Sequence, residues 1–144
     1  MAKTARIYSS TWQDEWFQNL SIDHKLLWLY IVSNERCNIA GLYDTSIKNI
    51  SNDTDISRES IVAGFKVFAE DRKAFYHEGY VIISNRVKYN ASNPQIYTGV
   101  GNIFASTPKE VIKFICENGA EYENENGKII QEIRILSEIG RAHV

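Results

Sequence analysis

The sequence predicts a mainly α-helical fold with a small antiparallel β-hairpin, an α+β class. Three observations carry this reading. Polar capping residues precede apolar runs of helical spacing at Ser10, Ser21 and Ser57. The run from Arg58 to about Asp71 is amphipathic. Two short runs of aromatic and β-branched residues, Ala74 to His77 and Tyr80 to Ser84, are joined by Glu78-Gly79.

In chain order, Ser10-Thr11 reads as the cap of a short helix with Asp14 and Glu15 in its first turn. Trp12, Trp16 and Phe17 would share one face of it. Asn19-Leu20 ends it, and Ser21 caps a second helix running to about Ser33. Its predicted core stripe is Ile22, Leu26, Leu29, Tyr30 and Val32, widened by Leu27 and Trp28, with Asp23, His24 and Lys25 largely off it. Gly41-Leu42-Tyr43 is a short extended piece leaving a Gly turn. Asp44 or Thr45 caps a brief helix, Ser46 to Ile50, which the polar run Ser51 to Asp55 is expected to break. From Ser57 the third main helix buries Ile61, Val62, Phe65 and Phe68 and exposes Arg58, Glu59, Ala63, Lys66 and Glu70.

Helix, short strand, helix, helix, strand, strand is the order of a winged helix-turn-helix. In it the connection Ser51 to Ser57 reads as slightly long for a tight turn. Residues 5–93 form this predicted domain, and 94–137 read as a linker and partial helical segment. Within the latter, Gln95 to Ala105 is weakly helical, because Gly99 and Gly101 oppose it. Thr107-Pro108-Lys109-Glu110 is a strong start for a helix to Glu117 that buries Val111, Ile112, Phe114 and Ile115. Ile139-Gly140-Arg141-Ala142-His143-Val144 is the peptide a common sequencing-adapter DNA encodes. Residues 138–144 are therefore expected to be adapter-derived, with the natural chain continuing beyond about Ser137 and no chemistry at Arg141 or His143.

The bulk properties exclude several classes. At 144 residues, 44% hydrophobic and 24% charged, the composition is that of a soluble globular protein with room for one ordinary core, or one domain plus a short appendage. No run approaches the ~20 apolar residues of a membrane helix. The N-terminus lacks a secretory core, so a cytoplasmic location is expected. Cys37 and Cys116 have no ligand partners at zinc spacing and read as buried or half-buried thiols. Net charge is −2, and residues 1–93 balance 11 Lys+Arg against 11 Asp+Glu. Any DNA affinity must then come from local placement of charge rather than from a steering field.

Catalysis finds no foothold. His24 and His77 have no nucleophile or third group around them in sequence. Asn52-Asp53-Thr54-Asp55-Ile56 lacks the Gly and distal Glu of a calcium loop. Gly99-Val100-Gly101 lacks the third Gly and the preceding strand of a dinucleotide fingerprint. No enzyme activity, cofactor or metal is expected.

Over roughly residues 5–94 the chain resembles the N-terminal domain of phage replisome-organiser proteins, the DnaD-like group. The resemblance is carried by Arg6-Ile7-Tyr8, Trp16, Asp23-His24-Lys25-Leu26-Leu27, Leu29-Tyr30, Gly41-Leu42-Tyr43 with Ile50, and Ser57 to Phe68. It ends with Val81 to Tyr89 and Asn93-Pro94. Such a resemblance implies a winged helix that binds origin DNA or self-associates. In the family a helical C-terminal region that engages DNA or helps load the replicative helicase commonly follows. The expected partners are double-stranded DNA, a replicative helicase or its loader, and further copies of the chain.

In a winged helix the third helix enters the major groove, which assigns Ser57, Arg58, Ser60 and Lys66 to bases or phosphates. Lys48 and Asn49 on the preceding helix are placed to reach the backbone. Arg72 and Lys73 at the wing base, or Arg86 and Lys88 after it, add candidate phosphate contacts. The aromatic cluster Trp12, Trp16, Phe17, Trp28 and Tyr30 has helical spacing, which favours packing over base stacking. Any member left exposed would mark a self-association face. Two alternatives remain open: a winged-helix transcriptional regulator binding a palindrome as a dimer, and an interaction module without direct DNA contact.

Overall fold

A hydroxyl or carboxylate at each early helix start satisfies an amide that the helix itself leaves unpaired. The computed structural model, which describes residues 4–84 and 101–118, shows four such caps. Asp14 Oδ1 accepts from Phe17 N at 3.0 Å and starts α1, Glu15–Gln18. Ser21 Oγ accepts from His24 N and starts α2, Ile22–Ser33. Ser46 caps α3, Ile47–Thr54, and Ser57 caps α4, Arg58–Glu70.

The first cap corrects the sequence reading. Ser10-Thr11 lies inside a 3-10 turn, Ser9–Gln13, and extended Asp14 (φ −71, ψ 123) separates that turn from α1. The aromatic face is split as a result. Phe17 is buried and Trp16 half-buried, whereas Trp12 is 59% exposed. Likewise Ser46, rather than Asp44 or Thr45, caps α3.

The polar run Ser51 to Thr54 continues α3 instead of breaking it. Thr54 Oγ1 donates to the Ile50 carbonyl at 2.7 Å, and Ser51 Oγ donates to the Ile56 carbonyl at 2.7 Å. Asp55 closes the helix in the left-handed region at φ 63. The connection from α3 to α4 is thus only Asp55, Ile56 and Ser57, with Ile56 buried between the helices. It is tighter than the sequence implied.

The burial phase of α2 also differs. Leu27, Ile31 and Val32 are buried, whereas Ile22 is 85% and Leu26 42% exposed. The cause lies on α4. Gly64 lets α2 approach so closely that a Cβ there would sit 2.6 Å from Leu27 Cδ2 and 3.0 Å from His24 Cδ2. His24, expected on the surface, is accordingly half-buried. On α4, Ile61, Phe65 and Phe68 are buried as expected, but Val62 is 58% exposed. In Gly64→Ala the gain of about 1 kcal/mol in helix propensity is outweighed by overpacking of about 1–3 kcal/mol. A lower urea midpoint with an unchanged slope is expected.

The sheet has order β1-β3-β2, all antiparallel, from β1 Leu42–Asp44, β2 Ala74–His77 and β3 Tyr80–Ile83. Glu78 (φ 51) and Gly79 (φ 80) supply the two positive φ values that a two-residue hairpin joint needs. Strand alternation divides the side chains between two cores. Tyr43, Ala74, Val81 and Ile83 join Leu27, Ile31, Ile50, Ile61, Phe65 and Phe68 on one face. Leu42, Phe75 and Ile82 face the other way and pack with Phe104, Val111, Ile112 and Ile115.

Those last four residues come from a helical turn over 101–105 and from α5, Lys109–Glu117. The helix expected over Lys109–Glu117 is thus present, and the described part of the segment read as a linker and partial helix covers the outer face of the sheet. Phe114 is half-buried and stacks on His77, with ring centroids 4.2 Å apart. Pro108 occupies the cap position of α5 without a side-chain bond, and Thr107 Oγ1, the expected cap, donates back to the Ile103 carbonyl at 2.7 Å. Among the described residues no helix is long and apolar enough to cross a membrane.

Candidate nucleic-acid interface

The tight α3–α4 connection fixes the surface on which the candidate residues lie. α3 is held to α2 by the Tyr30 hydroxyl, which donates to Asp53 Oδ2 at 2.5 Å. Burial, reinforced by that carboxylate, raises the Tyr30 phenol well above its ordinary value, so it remains a neutral donor. The Tyr43 hydroxyl donates to the Ile31 carbonyl at 2.6 Å and accepts from Asn34 Nδ2 at 2.7 Å, which ties β1 to the end of α2. At the hairpin, the Tyr76 hydroxyl donates to the Thr45 carbonyl at 2.7 Å, and burial raises its pKa as well. These bonds tie α2, α3, β1 and the hairpin together, and the shared core of Ile61, Phe65 and Phe68 adds α4 to the same frame.

The outer ridge of α4 carries Arg58, Val62 and Lys66 at intervals of four, all exposed, with Glu59, Ala63 and Glu70 exposed beside them. Arg58 occupies the first helical position, where a cation opposes the helix dipole by ~0.3–1 kcal/mol. Its presence there is not explained by helix stability. Lys48 and Asn49 are exposed in the first turn of α3. The two hydroxyls are engaged within the fold. Ser57 Oγ caps α4, and Ser60 Oγ donates to Asp23 Oδ2 at 2.9 Å.

The hairpin offers less. Its turn carries the exposed carboxylate Glu78. Arg72 is exposed and left-handed at φ 57 just before β2. Lys73 turns inward, its Nζ 5.2 Å from the centre of the Trp16 ring. Arg86 and Lys88 lie outside the described residues, as do 119–137 and the adapter-like tail.

The structure therefore brings Lys48, Asn49, Arg58 and Lys66 to the exposed faces of the two helices joined by the tight turn. It sets Ser60 and Lys73 against neighbouring elements. Among the described residues, no group of three or more His, Cys, Asp or Glu is placed to hold a metal. Sequence reasoning missed the exposed apolar positions Ile22, Leu26 and Val62, because each completes a plausible buried stripe on its own helix. No family model, curated protein or solved structure matches the chain.

Proposed function

We propose that this chain is the winged-helix domain of a phage-type DNA replication initiation protein, binding double-stranded DNA through α4 and working with a replicative helicase or its loader. The observation that carries the DNA-binding part is the three-residue Asp55–Ser57 connection between two capped helices, followed by a hairpin whose β3 pairs with β1. That arrangement leaves one face of α4 exposed beside α3, a feature that groove insertion requires. The exposed Arg58–Lys66 ridge supports it, as does an arginine at a helix N-terminus that stability does not favour. The replication assignment rests on the resemblance of residues 5–94 described above. A transcriptional regulator would use the same surface, and would differ by binding a palindrome as a dimer.

Fluorescence anisotropy of the full chain against a mixed duplex pool, at low and moderate salt, tests this reading. Binding is expected at low salt and should weaken steeply as salt rises, because each phosphate contact releases condensed counterions. A second reading, a self-associating interaction module, is favoured by the outward apolar positions Ile22, Leu26 and Val62, which are 85%, 42% and 58% exposed. No binding at low salt by a protein that sediments as an oligomer would select that reading.

A further inference from the structure

Where the N-terminal segment crosses the end of the hairpin lies a cavity of about 240 Å³, away from the α3–α4 surface. Trp16 and Trp28 form part of its wall, edge to face with centroids 5.0 Å apart. Lys73 and Ser84 line it from the hairpin, and Arg6 and Tyr8 from its exposed rim. Among the described lining residues two cations, Arg6 and Lys73, stand against one carboxylate, Asp14, whose Oδ1 accepts from the Phe17 amide. Beside the wall, Asp71 Oδ2 accepts from Trp16 Nε1 at 2.7 Å, and the Lys73 ammonium lies over the Trp16 ring.

Ser84 adds a buried hydroxyl to the wall. It is 6% exposed, and its Oγ is buried without a hydrogen-bond partner among the described residues. Folded proteins satisfy nearly all buried hydroxyls, and the exceptions concentrate where a water, an ion or a ligand completes the bonding. The Ser84 amide, by contrast, donates to the Lys73 carbonyl at 3.0 Å.

We infer that this cavity binds a small anion that carries one aromatic ring system. Its ring packs against the Trp16–Trp28 wall, its negative group lies between Lys73 and Arg6, and a heteroatom bonds the Ser84 hydroxyl. At about 240 Å³ the cavity is smaller than the ~300–1,000 Å³ pockets of drug-sized ligands, which suits one aromatic ring system with one anionic group. Aromatic walls with a few placed polar groups are the usual make-up of such sites. Nucleoside monophosphates and aromatic carboxylic acids share the required chemistry. The inference does not rest on the DNA-binding reading, and the two fail independently.

The test is isothermal titration calorimetry of the full chain with 5′-AMP, 5′-dTMP and indole-3-acetate. Adenosine, thymidine, indole and inorganic phosphate serve as matched controls. At least one anion is expected to bind saturably, tenfold or more tighter than both its uncharged counterpart and phosphate. Which anion binds distinguishes a nucleotide from an aromatic acid. Lys73→Met should weaken that binding about tenfold and Lys73→Arg should restore most of it, which separates charge from packing against Trp16. Ser84→Ala should weaken it several-fold, with thermal melts confirming the fold of each variant. No saturable binding of any anion would overturn the inference, leaving a water as the partner of Ser84. Equal binding of an anion and its neutral counterpart, or of phosphate alone, would overturn it as well.

Discussion

Phe68→Ala is expected to lower the unfolding free energy by about 3–5 kcal/mol, the range for truncating a fully buried phenylalanine. Phe68 is 0% exposed and stands at the centre of an aromatic cluster. Its ring centroid lies 5.7 Å from Trp16, 5.4 Å from Trp28, 6.1 Å from Phe65 and 6.4 Å from His24. These neighbours come from α1, α2 and α4, so a void at this point is held open by three elements and collapses poorly. Total stability of a domain is only ~5–15 kcal/mol, so the variant should approach the folding threshold. Urea unfolding followed through the indole emission of Trp16 and Trp28 measures the loss. Phe68→Leu should lose less, because it keeps most of the apolar volume. A loss below about 1 kcal/mol for the alanine variant would contradict the assignment of Phe68 to the centre of the core.

How much of this was legible in the sequence depended on how sharply each segment was patterned. α4 read correctly because its apolar residues Ile61, Phe65 and Phe68 alternate with charges that leave one solvent face. Val62 was misassigned because an apolar residue at the border of a stripe carries no mark of its side. The hairpin was legible because Glu78-Gly79 meets a backbone requirement, positive φ at two successive residues, that few sequences satisfy.

α2 was not legible in the same way. From Leu26 to Val32 every residue is apolar or aromatic, so periodicity leaves the direction of the core undetermined. Gly64 on α4 decides it, through a close approach that no local pattern on α2 records. α3 shows the opposite failure. Ser51 to Asp55 has turn composition, yet the side chains of Ser51 and Thr54 bond the α3–α4 backbone, and buried Ile50 and Ile56 hold the helix in place. Tertiary packing overrides local propensity there. Of the candidate interface, exposure at Arg58, Lys66, Lys48 and Asn49 followed from helical phase. The engagement of Ser60 with Asp23 and of Lys73 with Trp16 depends on contacts across 37 and 57 positions of sequence, which spacing does not encode.

If the exposed ridge of α4 meets DNA, as proposed, charge substitution there in both directions should shift the affinity in both directions. Arg58 and Lys66 lie on one ridge interleaved with Glu59 and Glu70, and all four are exposed. Their replacement should therefore leave the fold intact, since surface substitutions usually change stability by less than about 0.5 kcal/mol. If each cation neutralises a phosphate, Arg58→Ala/Lys66→Ala removes two contacts. The slope of log affinity against log salt should then fall by about 2, and low-salt affinity by about 100-fold at roughly 1.4 kcal/mol per contact. Glu59→Gln/Glu70→Gln relieves repulsion on the same ridge and should tighten binding. Measured by anisotropy on one duplex pool across a salt series, a weaker and flatter response for the first variant with a stronger one for the second is the expected result. Identical affinities and slopes for both variants and the parent chain would contradict DNA binding through α4.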